Sequence, residues 1–116
     1  MIALTLAQIA HAVGGALHPV PGESAETVVS GAVDTDSREI GPGGVFVAKR
    51  GEATDGHLYV DAAVASGAVL AIVEHPVAAS VSQIVVRDAV EALSDLARHV
   101  VGTVRAAGSL RIVGIT

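Results

Sequence analysis

The chain has 116 residues and a hydrophobic fraction of 51% that Ala and Val dominate, with one Phe, one Tyr and no Trp, which suits one small α/β core and a few further elements. A formal net charge of -5 and the lack of aromatic stacking platforms argue against a nucleic-acid partner. The absence of cysteine excludes a disulfide framework and a thiolate site.

The first residues of the chain, 1–5, lack the basic segment and the long apolar core of a signal peptide. No apolar run approaches the about 20 residues that a membrane-spanning helix needs. We therefore expect a cytoplasmic monomer with no membrane partner.

The first predicted helix runs from Leu4 to Gly15. Thr5 is a good N-cap, and Gln8 three residues later completes a capping box. Leu4 and Ile9 occupy the positions of a hydrophobic staple. A glycine pair then supplies a left-handed stop.

The next part of the chain alternates between apolar runs and polar or glycine-rich breaks. Residues 17–25 contain two prolines and a glycine and predict a loop. Residues 27–33 and 45–48 predict two strands. Each strand is followed by a polar segment, residues 34–38 after the first and residues 49–57 after the second.

The last part of the chain continues the same alternation. Residues 58–66 predict a helix, residues 68–74 a strand buried on both faces, and residues 83–86 a short strand. Asp88 opens another helix, and residues 110–116 form a final apolar strand. This order favours an α/β layer structure, with a boundary between a unit 1–87 and a unit 88–116.

The two polar segments after the predicted strands carry the residues that we single out for chemistry. If the strands are neighbours in one sheet, the segments converge at the edge where α/β folds place ligands. They would then present four polar side chains, those of Ser37, Arg38, Lys49 and His57. They would also present free backbone N–H groups at Gly51 and Gly56.

Such a set suits a phosphorylated or nucleotide ligand. Arginine makes a forked contact to phosphate oxygens, lysine adds a point charge, and glycine lets the backbone approach an anion. The alternative interpretation is that Asp36, Ser37 and Arg38 form an ordinary Asx turn with a surface ion pair.

We assign no catalytic residue and no metal ligand. Asp34, Asp36 and Asp55 have the residue type of a general base, but neither a nucleophile nor a metal set accompanies them. The five histidines lack the spacing of a zinc site, and no cysteine assists them. The sequence also contains no Gly-x-x-x-x-Gly-Lys-Ser/Thr loop for phosphate.

A series of short segments, taken together and in order, resembles the amino-terminal region of the Mur ligase family of peptidoglycan synthesis. The resemblance covers essentially the whole chain; single segments are loose, but the ordered set is specific to the family. The segments are residues 1–10, 14–15, Asp34-Thr35-Asp36-Ser37-Arg38, 40–43, 45–52, Asp55-Gly56-His57, 62–68, 86–88 and Val113-Gly114-Ile115-Thr116.

Within that family the Leu-Thr-Leu-x-x-Ile-Ala opening is more similar to the MurF type, which adds D-Ala-D-Ala to UDP-N-acetylmuramoyl-tripeptide. The MurE type shares the Asp-Ser-Arg and Asp-Gly-His segments and is the alternative. A free-standing nucleotide-sugar-binding module and a purely structural α/β domain are the other hypotheses.

The resemblance implies a small mixed sheet flanked by helices that holds the uridine diphosphate end of the substrate. By this likeness Ser37 and Arg38 lie against the nucleotide, while the facing wall consists of Lys49, Gly51, Asp55, Gly56 and His57. The uracil would be read by hydrogen bonds and not by a Trp or Tyr stack.

The resemblance also implies two further domains, one that uses ATP and magnesium to phosphorylate the tripeptide carboxylate and one that binds D-Ala-D-Ala. Residues 88–116 would be the first helix and strand of the ATP-binding domain, truncated before its phosphate loop. We therefore expect this chain alone to be inactive as a ligase and to bind none of these cofactors.

Overall fold

The computed structural model describes residues 3–49 and 55–107, and the side chains of these ranges up to residue 99. Three α-helices, one 3-10 helix and seven short strands lie in these ranges. In chain order they are β1 (Leu4–Thr5), α1 (Leu6–Val13), β2 (Ala16–His18), β3 (Val28–Val29), β4 (Val33–Asp34), β5 (Val45–Val47), a 3-10 helix (Gly56–Tyr59), α2 (Val60–Ser66), β6 (Leu70–Val73), β7 (Ser82–Val85) and α3 (Ala89–Ala107).

A five-stranded mixed sheet with the order β2-β7-β6-β5-β4 forms the centre of the molecule. Strands β4, β5, β6 and β7 are parallel, and β2 joins β7 antiparallel at one edge. Strands β1 and β3 form a separate antiparallel pair. The predicted fold class, a small mixed sheet flanked by helices, is confirmed.

Helix α1 begins where its capping residues predict. The Thr5 hydroxyl accepts a hydrogen bond from the Gln8 backbone N–H at 3.1 Å, and the Gln8 side chain accepts one from the Thr5 backbone N–H at 2.8 Å. The helix ends at Gly14, which has φ 65°. Both ends are therefore determined by residues within the helix and its flanks.

Two predictions on the early strands are wrong. Residues 17–25 are not all loop, because β2 reaches His18 and pairs with β7. Residues 27–33 are not one strand, because β3 and β4 join different sheets. The division lies at Gly31, where a Cβ atom would be 2.0 Å from the Gly43 carbonyl oxygen, so that two backbones meet where only glycine fits.

The later elements follow the prediction more closely. The helix predicted over residues 58–66 begins with the 3-10 turn at Gly56 and continues as α2. Asp88 caps α3, since its carboxylate accepts from the Glu91 backbone N–H at 3.0 Å. The strand predicted over residues 110–116 lies outside the described residues.

The two faces of the sheet are both buried, because consecutive apolar residues of β5 and β6 point alternately to opposite faces. Helices α1 and α3 pack against each other and on one face, and α2 packs on the other. The first turns of α3 contribute Ala89, Ala92 and Leu96 to the core that α1 occupies. The division into units 1–87 and 88–116 stays a prediction. Among the described residues no helix combines the length and apolarity needed to cross a membrane.

Candidate functional site

The two polar segments that follow β4 and β5 meet at the carboxyl edge of the parallel strands. Because β4 and β5 are neighbours with the same direction, the residues after each strand emerge on the same side of the sheet. Between them lies a cleft of about 540 Å³, whose described lining is Thr35, Asp36, Ser37, Arg38, Phe46, Lys49, Gly56, Tyr59 and Ala62. Four of the seven predicted site residues therefore share one cleft.

The segment after β4 is built from two successive Asx turns. The Asp34 carboxylate accepts from the Asp36 backbone N–H at 2.9 Å, and the Asp36 carboxylate accepts from the Arg38 backbone N–H at 2.9 Å. These turns place Ser37, which is buried, against the cleft. The alternative interpretation of residues 36–38, an Asx turn with an ion pair, is therefore correct for the local geometry. The same residues also line the cleft.

Arg38 makes a forked ion pair with Asp36 at the rim of the cleft. Its Nε donates to one carboxylate oxygen at 3.1 Å and its Nη2 to the other at 2.9 Å. These charged hydrogen bonds lower the pKa of Asp36 below its usual value and raise the pKa of Arg38. A guanidinium has five N–H donors, so the pair does not exhaust it, and the Arg38 side chain is 87% exposed.

Two described residues of the segment after β5, Lys49 and Gly56, are hydrogen-bonded to each other in the lining of the cleft. The Gly56 backbone N–H donates to the Lys49 carbonyl oxygen at 2.8 Å. A Cβ atom at position 56 would lie 2.7 Å from that oxygen and 2.8 Å from the Lys49 nitrogen, so this approach needs glycine. Lys49 itself is exposed at the rim. Gly51 lies outside the described residues.

The other two predicted site residues, Asp55 and His57, are not among the described residues that line the cleft. Asp55 caps the 3-10 helix, and its carboxylate accepts from the His57 backbone N–H at 3.0 Å. The His57 side chain is only 3% exposed. The structure therefore places His57 behind the wall that Gly56 forms.

The sequence of this chain also matches known proteins. A family model described as "Mur ligase family, catalytic domain" matches residues 30–101, which is more than half of the chain. The chain belongs to the Mur ligase family.

Relatives of two kinds within the Mur ligases are similar to this chain. The UDP-N-acetylmuramoyl-tripeptide–D-alanyl-D-alanine ligase of Mycobacterium leprae is 47% identical over 78 residues, 66% of this chain and 15% of the relative. The UDP-N-acetylmuramoyl-L-alanyl-D-glutamate–2,6-diaminopimelate ligase of Chlorobaculum tepidum is 41% identical over 98 residues, 82% of this chain and 19% of the relative.

Solved Mur ligase structures have the same fold over the matched part. A crystal structure of MurF from Acinetobacter baumannii matches with a TM-score of 0.70 and 36% identity, over 81% of this chain and 20% of that protein. The MurF ligase of Thermotoga maritima in complex with ADP matches with a TM-score of 0.57 and 35% identity, over 61% of this chain and 17% of that one. The chain thus spans a fifth or less of these relatives.

Sequence reasoning missed several residues that line the cleft of this Mur ligase chain. Phe46 and Ala62 supply an apolar floor, and Tyr59 supplies a half-exposed aromatic ring. Tyr59 is the chain's one tyrosine and follows His57 by two residues, so its place just after the second polar segment was a usable signal. The expectation that the uracil is read by hydrogen bonds and not by a Trp or Tyr stack stays a prediction.

A metal centre is the other arrangement to test in this Mur ligase chain. Ligand atoms of Asp55, His57 and His75 all lie within 4.8 Å of one another. The two imidazole rings, however, are stacked with their centroids 4.2 Å apart and their planes at 12°, and ring nitrogens bind a metal in the plane of the ring. Both His57 nitrogens also hold hydrogen bonds to the protein. This geometry suits a hydrogen-bond network better than a metal site.

Proposed function

We propose that this chain anchors the uridine diphosphate end of a UDP-N-acetylmuramoyl peptide for a peptidoglycan ligase. The observation that carries the proposal is the cleft at the carboxyl edge of β4 and β5, which has an apolar floor and a cationic rim. Crevices at the carboxyl ends of parallel strands are where open α/β sheets bind ligands.

The chemistry of the lining fits the parts of a nucleoside diphosphate. Arg38 and Lys49 are the cations of the described lining, in a chain whose formal net charge is -5. A forked guanidinium and a flexible ammonium complement phosphate oxygens. Phe46 and the Tyr59 ring provide an apolar surface of the kind on which a base packs.

The proposed whole enzyme is of the MurF type, which adds D-Ala-D-Ala to UDP-N-acetylmuramoyl-tripeptide. The relatives with this name reach 47–49% identity, and crystal structures of MurF match this chain. The MurE type is the second candidate, because relatives of that type match at 38–41% identity over a longer stretch.

We propose that residues other than those of this chain carry the ATP chemistry of such a ligase. ATP and magnesium would supply the phosphoryl group and its charge neutralisation in the whole enzyme. No Gly-x-x-x-x-Gly-Lys-Ser/Thr segment occurs in the sequence, so these residues do not match an ATP phosphate loop. The proposed role of this chain, in the cytoplasm, is therefore to bind and position the substrate.

Titration of the ¹⁵N-labelled chain with UDP, and then with UDP-N-acetylmuramoyl-tripeptide, tests the proposal. We expect amide shift changes at Ser37, Lys49 and Tyr59. Arg38→Ala should weaken UDP binding by about tenfold, the lower end for a hydrogen bond to a charged group, because the side chain is exposed.

A matched control is Arg98→Ala, which removes another exposed arginine that is ion-paired with an aspartate, on α3 and outside the cleft lining. It should leave UDP binding unchanged. Absence of shift changes in the cleft at millimolar UDP would overturn the proposed function.

A further inference from the structure

Both nitrogens of the His57 imidazole make a hydrogen bond to the protein, one on each side of the ring. The Glu74 backbone N–H donates to Nε2 at 2.8 Å, and because a backbone amide only donates, Nε2 is an acceptor. Nδ1 then carries the proton and donates to the Asp55 carboxylate at 2.6 Å. Because both ring nitrogens are hydrogen-bonded to the protein, neither is left to bind a ligand. The ring can influence the cleft only by positioning the residues that contact it.

One side of the ring fixes the wall of the cleft. Asp55 accepts both from the ring and from the His57 backbone N–H, which holds the start of the 3-10 helix in place. Gly56, the next residue, lines the cleft, as does Tyr59 at the end of the same turn. The position of the ring thus determines where two lining residues stand.

The other side of the ring connects the wall to the neighbouring strand and helix. Glu74 directly follows β6, and its carboxylate accepts from the backbone N–H of Ala89, the first residue of α3, at 2.9 Å. The contacts run along the carboxyl edge of the sheet, from the segment after β5, past the end of β6, to the helix after β7. They form one continuous run of hydrogen bonds from cleft to helix.

Three residues with titratable side chains contact the His57 ring among the contacts of the described residues. Asp55 accepts from it, Glu74 donates to it through its backbone, and His75 stacks on its face at 4.2 Å. The ring is buried, so water does not readily replace a lost partner.

We propose that His57 is a positioning residue that holds the Asp55–Gly56 wall for the nucleotide and couples occupation of the cleft to the first turn of α3 through Glu74. This inference rests on the proposed function, because the ligand it concerns is the nucleotide of the proposed site.

Two conservative substitutions separate the two hydrogen bonds of the ring. In His57→Gln the side-chain oxygen falls where Nε2 stood and can accept from Glu74, but the donor to Asp55 is lost. In His57→Asn the side-chain amide falls where Nδ1 stood and can donate to Asp55, but the acceptor for Glu74 is lost. His11→Gln, at an exposed position on α1, is the control.

Three quantities are measured on the whole chain: UDP affinity by calorimetry, melting temperature, and amide signals of Glu74 and Ala89 with and without UDP. Each variant at position 57 should weaken UDP binding by about threefold to tenfold, the effect of one lost hydrogen bond. Hydrogen exchange at Glu74 should accelerate in His57→Asn only. The UDP-induced shift at Ala89 should be present in the wild type and the control and lost in both variants.

The outcomes separate this inference from the proposed function. If the wild-type chain does not bind UDP, the proposed function fails and the positioning role fails with it. If the wild type binds UDP but both variants lose melting temperature and keep wild-type affinity, His57 is only structural and the inference alone is overturned. Binding that shifts cleft amides without moving Glu74 or Ala89 overturns the coupling.

Discussion

The two faces of the central sheet bury different sets of side chains, and only one of the two sets reaches the described lining of the cleft. On the face that α1 and α3 cover, which we call the α1/α3 face, the sheet contributes only branched aliphatic residues: Val45, Val47, Leu70, Ile72 and Ile84. On the face that α2 covers, which we call the α2 face, it contributes Phe46, Ala48, Ala71 and Val73.

The same strands supply both sets, because successive side chains of a strand point to opposite faces. The α1/α3 face is filled by branched side chains in close contact, which is the arrangement that stabilises a core. The α2 face has smaller side chains, and its one large ring, Phe46, reaches the cleft. Ala62 of α2 lines the same cleft.

Leu70→Ala tests the α1/α3 face and should have the largest effect. The side chain is fully buried, so its truncation should lower the free energy of unfolding by about 2–5 kcal/mol, from lost burial and the cavity left behind. Urea denaturation measures the change. The control is Leu58→Ala, the same substitution at a side chain that is 76% exposed, which should stay within about 0.5 kcal/mol. Equal losses in both would contradict the comparison.

Gly56→Ala tests the wall of the cleft on the α2 face. The added Cβ would meet the Lys49 backbone at 2.7 Å, so we expect a loss of about 1–3 kcal/mol in unfolding free energy together with weaker UDP binding. Gly41→Ala is the matched control, because a Cβ there has no heavy atom within 4 Å. If Gly56→Ala keeps both stability and binding, the close approach is not needed.

Thr5→Ala tests how much of the α1/α3 face depends on local capping. Loss of the hydroxyl that accepts from Gln8 should lower the unfolding free energy by about 1 kcal/mol. UDP affinity should not change, because α1 does not contribute to the described lining of the cleft. Calorimetric unfolding measures the stability, and UDP titration of the same samples measures the affinity. A loss of UDP affinity in Thr5→Ala would contradict the separation of the two faces.

The smallest effect concerns the ion pair at the rim. The hydrogen bonds from Arg38 lower the pKa of Asp36, so folding favours its charged form. The contribution to stability is present above the unfolded pKa and is lost as the pH falls through the folded one. NMR titration of the Asp36 carboxylate should show a pKa below 3.8 in the wild type and a higher pKa in Arg38→Ala. Arg98→Ala should leave that titration unchanged.

Features whose partners are near in the chain could be predicted from the amino-acid sequence alone. The Thr5 and Gln8 capping box joins residues three apart, so its side chains identify the helix start wherever the helix packs. Strands β5 and β6 could also be predicted from their apolar runs, because a strand buried on both faces needs consecutive apolar residues. The two polar segments that bound the cleft could be identified because each follows a predicted strand, over residues 27–33 and 45–48.

Which residues of the two polar segments face the cleft depends on contacts between residues that are distant in the chain. His57 accepts a hydrogen bond from the backbone N–H of Glu74, which is 17 residues away. The backbone of Gly31 lies against the backbone of Gly43. Tyr59 enters the lining because the 3-10 helix turns it there. Such pairings depend on which strands become neighbours in the sheet, and that choice is made by long-range packing that no short stretch of sequence contains.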